Sequence, residues 1–308
     1  MAMPGMNLQK EAPIGGAREK SVQEIGRTES YLYMIAKRFL KHRLAVVGLI
    51  SMLLLVLIAI FAPWIAPHSP YHLSDSFGEA PSSEHWLGTD QVGRDVLSRL
   101  IYASRVSLLV GIGAVSIYVT IGVIFGSVSA YFGGWIDMFF MRVTDVFMSF
   151  PTLMIILVIV SVLGPSITNV ILILGFLGWP PVARLVRGSV LTLKEMDFVK
   201  ASVALGYSTW RILFIHILPN AIAPILVYAT FGMAGAIIIE ASLSFLGLGV
   251  QPPTASWGNM LTDAQSLTVL TSLPWLWVPP GIMIVIAVLS INFIGDGLRD
   301  AMDPKSLK

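Results

Sequence analysis

The chain has 308 residues, of which 55% are hydrophobic and only 12% charged, and its formal net charge is +2. A soluble domain carries about twice that charged fraction, and so small a charge with no dense Lys/Arg run offers nothing to nucleic acid. With no cysteine, disulfides, thiolate metal sites and a cysteine nucleophile are all excluded.

The charges are clustered. Residues 44–67, 106–136, 146–183 and 264–295 contain no Asp, Glu, Lys or Arg, and 212–262 contain only Glu240. A helix needs about 20 apolar residues to cross a bilayer, so the pattern predicts an all-α polytopic membrane protein embedded in lipid. Residues 1–43 mix 8 basic with 4 acidic residues, which is unlike a secretory n-region. The tail 1–37 shows little periodicity and is expected to be mobile.

Six spans follow. The first, "LAVVGLISMLLLVLIAIFAPWIA" (44–66), reads as a retained signal anchor ending in an interfacial Pro-Trp pair. The second covers 106–131. The third (143–163) and fourth (168–187) are divided by Gly164-Pro165-Ser166. The fifth runs from Pro219 to about Phe245, and the sixth covers 278–295, opened by Pro279 and Pro280. With a cytoplasmic N-terminus, the cytoplasmic segments hold 17 Lys and Arg and the outer ones only Arg94, Arg99 and Arg105. That positive-inside bias places both termini and the segment 188–216 in the cytoplasm, and the loops 67–105 and 246–277 outside.

Some spans carry helix-disturbing residues. Pro151 and the sequence Gly178-Trp179-Pro180-Pro181 remove backbone donors, which membranes tolerate where protein or a wet cavity satisfies the backbone. Gly111, Gly113, Gly122 and Gly126 of the second span suit close helix approach. Pathway lining is the alternative role.

The polar elbow between the fourth and fifth spans, "LKEMDFVKASVALGYSTWRILFIHILPN" from Leu193, predicts a short surface helix. Asp197 is its expected N-cap and Gly206 its left-handed C′ residue. Ser208 or Thr209 caps a second helix carrying Trp210, Leu213, Phe214 and Ile217 at helical spacing. Any cytoplasmic loop of this length could fold into such a hairpin.

In the outer loop, His68 and His72 have the spacing of a helical metal pair, but Ser69-Pro70 opposes that helix and no metal is expected. Asp95 and Arg99 read as an ion pair on a separate interfacial helix. Glu240 is a functional candidate as an intramembrane acid; its place near the outer end of its span favours structural anchoring over proton coupling. No G-x-x-x-x-G-K-[ST], H-E-x-x-H or G-x-S-x-G motif occurs, so the chain is expected to be non-catalytic. A stand-alone secondary transporter would favour internal repeats and charged or unwound midplane sites, of which Glu240 is the one charged candidate.

The elbow resembles the EAA loop of ATP-binding-cassette (ABC) import permeases, EAA-x3-G-x9-I-x-L-P. Ala201, Gly206, Leu218 and Pro219 match, while Lys200, Ser202 and His216 replace glutamate, alanine and isoleucine. "HWLGTDQVGRDVLSRLIYASRVSLLVG" (85–111), "EASLSFLGLGVQPPTASWGNML" (240–261) and "RFLKHRLAVVGL" (38–49) are similar to segments of C-type subunits of dipeptide, oligopeptide and nickel importers. The resemblance implies a MetI-like permease core of five helices in residues 85–308, with a coupling loop at 193–219. Residues 38–84 would then form an added first helix and outer loop. It also implies a second homologous permease, two ATPase subunits that bind ATP and Mg2+, and an extracytoplasmic substrate-binding protein, all at a bacterial or archaeal cytoplasmic membrane. This chain itself would bind no cofactor. Lys200, Ala201, Ser202, Leu205 and Gly206 would form or border the ATPase contact, and the cargo would be peptide, or alternatively nickel or another small solute.

Overall fold

A chain of long apolar runs separated by short polar links must satisfy its backbone within each run, and helices do so. The computed structural model describes residues 31–303, and its ordered elements are helical, with one isolated β-bridge between Thr89 and Asp95. Most of the expected 1–37 tail lies outside the described residues. The remainder begins a helix, α1 (Tyr31–Lys41). The first span is α2 (Arg43–Ile60), whose first turn is capped by His42, with Nδ1 accepting from the Ala45 amide at 3.1 Å.

The second span is a single helix, α3 (Val96–Phe132), of 37 residues. At 1.5 Å per residue it is about 55 Å long, against a hydrocarbon core of about 30 Å. The expected separate interfacial helix is therefore the outer end of α3. No glycine or proline interrupts residues 95–106, and Asp95 caps the start by accepting from the Ser98 amide at 2.7 Å. The expected Asp95–Arg99 pair does not form. Asp95 is taken up by Ser98 and His85, and Arg99 turns to Asp90, 3.5 Å away.

The third span is bent. Helices α4 (Gly134–Met148) and α5 (Thr152–Leu163) meet at 80°. Pro151 is the N-cap of α5, and its ring disfavours helical geometry at Phe150. By contrast, the fourth span absorbs its prolines. Helices α6 (Ile167–Leu177) and α7 (Trp179–Lys194) together form a 28-residue span, because Pro180 and Pro181 fall in the first turn of α7, where missing donors cost little.

After the elbow helix α8 (Asp197–Ala204), the chain is helical from Thr209 to Phe245. A turn at Thr209–Arg211 leads through a π-helical segment, Ile212–Ile217, into α9 (Leu218–Phe245). The last span, α10 (Pro274–Met302), begins before the expected prolines and runs through both of them. Among the described residues, five helical segments can cross a membrane by length and composition, and the bent pair, taken as one span, makes a sixth.

The glycines of α3 resolve in favour of packing. A Cβ on Gly122 would lie 2.5 Å from Val182 Cβ, and one on Gly126 would lie 2.4 Å from the Ala183 carbonyl oxygen, both in α7. Gly113 meets Ile171 of α6, and Gly111 meets Ile237 of α9. Gly48 lets α2 approach Ser290 and Phe293 of α10 in the same way. One buried apolar cluster joins α3, the bent pair, α6, α7, α9 and the elbow. A second, towards the outside, joins α2, α3, α9, α10 and Trp257.

Gly122→Leu should lower the midpoint of thermal unfolding in detergent, reflecting overpacking of about 1–3 kcal/mol. Gly188→Ala, whose added Cβ meets nothing within 4 Å, is the control and should not.

Candidate functional site

The elbow is built by local rules. Met196 occupies the N-cap of α8, so Asp197, the expected cap, is displaced by one residue into the first turn. A carboxylate is still favourable there beside the unpaired amides and the positive helix end. At the other end the Gly206 amide donates to the Val203 carbonyl at 2.9 Å, and the Tyr207 amide donates to the Ser202 carbonyl at 3.2 Å. With Gly206 at φ 74°, these two bonds form a Schellman motif. Ser208 then starts the second helix through its carbonyl, which accepts from the Ile212 amide at 3.0 Å.

Behind this turn the chain is held by rings. Arg211 lies 4.3 Å over the Tyr207 ring, and Tyr207 stacks on His216 at 5.7 Å. His216 falls in the π-helical segment, which sequence periodicity did not foretell. The segment precedes Pro219, which cannot donate the next backbone hydrogen bond.

The candidate residues divide between two faces. Ser202 is buried with Val199 against the body, its hydroxyl donating to the Phe198 carbonyl at 2.8 Å. Lys200, Ala201, Leu205 and Gly206 are exposed, together with Val203 and Ala204. Leu205 is 72% exposed. Lys200 Nζ lies 3.3 Å from Glu195, so its charge meets a carboxylate of the elbow itself. The outward face is thus small and largely apolar, with the paired Lys200 at its edge and exposed Asp197 at its start.

Three polar links fix α7, which leads into the elbow, within the bundle. Lys194 Nζ donates to the Tyr131 carbonyl at 2.8 Å, joining the end of α7 to the end of α3. Arg187 grips Asp137 of α4 through two bonds of 2.6 Å, and Ser129 of α3 also donates to Asp137. Arg184 bonds Asp145 at 2.5 Å. Neither the partners nor their pairing could be read from spacing, because they lie 39 and 50 residues apart.

At the outer end, Glu240 is fully buried. Ser107 of α3 and Ser244 donate to its two carboxylate oxygens at 3.2 and 2.7 Å. Each serine oxygen in turn accepts from a loop amide, Trp257 on Ser107 at 3.2 Å and Val250 on Ser244 at 3.0 Å. The carboxylate therefore pins the loop 246–260 onto α3 and α9. This is the geometry of an anchor.

In the other outer loop, residues 68–72 are not helical. The structure brings His68 and His85 together with Asp95 rather than with His72, their ligand atoms lying within 4.8 Å of one another. All three have partners inside the protein. His68 Nε2 is 3.2 Å from the Glu84 carbonyl, and His85 Nδ1 is 2.9 Å from Asp95, which also caps α3. Nearby, Arg94 donates to Asp90 at 2.7 Å, and Asp263 of the last outer loop joins this charged group. Burial, with Asp90 close by, pushes the Asp263 carboxyl up against the opposing pull of Arg99 and Arg94.

Comparison with known proteins agrees with this architecture. Residues 120–308 match the family described as binding-protein-dependent transport system inner membrane component, and residues 30–81 match the N-terminal transmembrane domain of oligopeptide transport permease C. The dipeptide transport system permease protein DppC of Alkalihalophilus pseudofirmus is 44% identical over 270 residues, 87% of this chain and 88% of that one. The glutathione transport system permease protein GsiD of Escherichia coli is 42% identical over 271 residues, 87% of this chain and 89% of that one. Among solved structures, the inward-facing MetNI methionine ABC transporter matches with a TM-score of 0.56 at 17% identity. The match covers 67% of this chain and 97% of that chain.

The fold and these matches define a multi-pass ABC importer permease. The chain belongs to the family of binding-protein-dependent transport system inner membrane components.

Two outcomes are expected. A Cβ added at Gly206 meets no atom within 4 Å, so the cost expected of Gly206→Val is chiefly backbone strain, about 1–2 kcal/mol. Hydrogen exchange of residues 197–206 should accelerate while that of α7 stays unchanged. Because the folded state holds the Asp263 proton more tightly than the unfolded chain, ionisation of Asp263 opposes folding. Stability from this group is greatest below the unfolded carboxylate pKa of about 3.9 and falls as pH rises above it. Asp263→Asn should therefore unfold at a higher temperature than wild type at pH 7, and the gain should shrink as pH falls towards 4.

Proposed function

We propose that this chain is one of two permease subunits of an ATP-driven importer of di- and oligopeptides, and that its elbow seats in a cytoplasmic ATPase subunit. The observation that carries the reading is the elbow's outward face. Ala201, Leu205 and Gly206 are exposed at a rigidly capped turn whose other side is buried in the bundle. An exposed leucine by itself is unremarkable. An apolar face with Val203 and Leu205 beside it, on a segment otherwise free to be polar, fits the groove of a second protein.

Closure of two ATPases around ATP would drag this helix, and the fused α6–α7 span and the Arg187–Asp137 link would carry the movement into the bundle. A second homologous permease would complete the pathway, and an extracytoplasmic binding protein would deliver cargo to the outer loops. ATP and Mg2+ belong to the ATPases in this scheme, and Lys200 contributes a polar contact at the rim. The peptide assignment draws on the relatives, whose names specify dipeptide and glutathione transport. Glutathione is itself a peptide. The complex would reside in the cytoplasmic membrane.

Purification of the chain from its native membrane tests the scheme directly. Two ATPases and a second permease should co-purify. A cysteine at position 201 should crosslink to an ATPase, and Gly206→Val should leave membrane insertion intact while uncoupling ATP hydrolysis from uptake. Wild-type uptake by Gly206→Val, or ATP-independent transport by the chain alone in liposomes, would remove the coupling role.

A further inference from the structure

Between α3, the bend joining α4 to α5, the α6–α7 junction and α9 lies a cavity of about 260 Å3 that the coupling scheme does not use. Its walls are mostly apolar, including Phe147, Ile156, Leu174 and Ile239, and among the described residues no charged side chain lines it. One polar group stands out. Tyr118 of α3 is only 6% exposed, yet among the described residues its hydroxyl has no hydrogen-bond partner.

A buried unpaired hydroxyl opposes folding, so stability alone would favour phenylalanine at position 118. The opposite wall makes room for the group. A Cβ on Gly232 of α9 would come within 1.6 Å of Tyr118 Oη, so glycine there keeps space for the hydroxyl. One helical turn on, Gly235 also lines the cavity, and a Cβ on it would meet nothing within 4 Å. Packing does not demand that glycine; its absent side chain simply leaves the cavity open. The wall also includes Leu177, whose carbonyl loses its usual helical donor because Pro181 has no N–H.

We propose that this cavity receives one apolar side chain of the transported peptide, with Tyr118 Oη turning from its buried seat against Gly232 to hydrogen-bond the adjacent peptide main chain. The inference rests on the peptide reading given above. The volume falls below the roughly 300–1,000 Å3 of sites that enclose a whole drug-sized ligand, so it suits a single residue. With no charge in the wall, the site selects neither the termini of a peptide nor a metal ion. It grips the part common to apolar residues and leaves the rest of the cargo in the pathway.

The test uses cells lacking this chain, complemented with wild type, Gly235→Leu or Tyr118→Phe at matched membrane levels, and measures uptake of labelled Ala-Ala and Ala-Phe. Gly235→Leu adds its side chain at a cavity wall where the new Cβ meets nothing within 4 Å, and should reduce Ala-Phe uptake on the order of tenfold, with Ala-Ala within about twofold. Tyr118→Phe should reduce uptake of both by about fivefold at undiminished thermal stability in detergent, since the hydroxyl has no structural partner to lose. Wild-type uptake of Ala-Phe by both variants overturns the proposal, as does equal loss of both dipeptides in Gly235→Leu. If wild type imports neither dipeptide, the peptide reading itself fails and this site falls with it.

Discussion

The close approach of α3 and α7 at Gly122 and Gly126 is the contact on which the rest of the bundle depends. Neither glycine can be replaced without meeting Val182, Val186 or the α7 backbone. In lipid, helices gain little from burying apolar surface against one another, so association rests on tight packing. A long helix flanked by α6, α7 and α9 then becomes the post around which the bent pair and the elbow are placed. Its length matters too. By overshooting the hydrocarbon core, α3 carries Asp95 and Arg99 into the outer loops while its inner end reaches the Lys194 link beside the elbow.

The two ends of this post are secured by different chemistry. Outside, Glu240 accepts from two serines that each accept from a loop amide, so one carboxylate organises α3, α9 and the loop 246–260. Inside, charge pairs do the work. Asp137 and Asp145 of α4 meet Arg187 and Arg184 of α7. The outer knot is fully buried, whereas the inner pairs are partly exposed to solvent.

Much of this was legible in the chain. The uncharged runs marked the spans, and the position of Gly206 announced the left-handed turn that the structure contains. Its neighbours were less readable. Asp197 lies one residue inside the helix it was expected to cap, because Met196 already has extended geometry. Asp95 was paired with Arg99 by spacing, but a residue ten positions back, His85, reaches it through the fold. Pro151 and Pro180 show why similar signals diverge. Pro151 starts a new helix and bends the third span by 80°, while Pro180 falls in a first turn and leaves the fourth span whole. The π-helical segment at Ile212–Ile217 had no periodic signature to betray it.

The elbow's division into two faces explains why its sequence can depart from the family pattern without losing its shape. The turn depends on backbone bonds from Gly206 and Tyr207 and on the absence of a Cβ at Gly206, none of which involves the side chain of residue 200. Ser202 faces inward and bonds the Phe198 carbonyl, so a small residue suffices there. Lys200, where the pattern has glutamate, lies on the rim and finds Glu195 within the same segment. The local pair largely cancels the reversed charge at short range, so the outward face remains small and largely apolar, with Asp197 as its remaining charge. The main chain thus holds the shape, and in the proposed coupling scheme the rim charge would be the element that matches one permease to its ATPase.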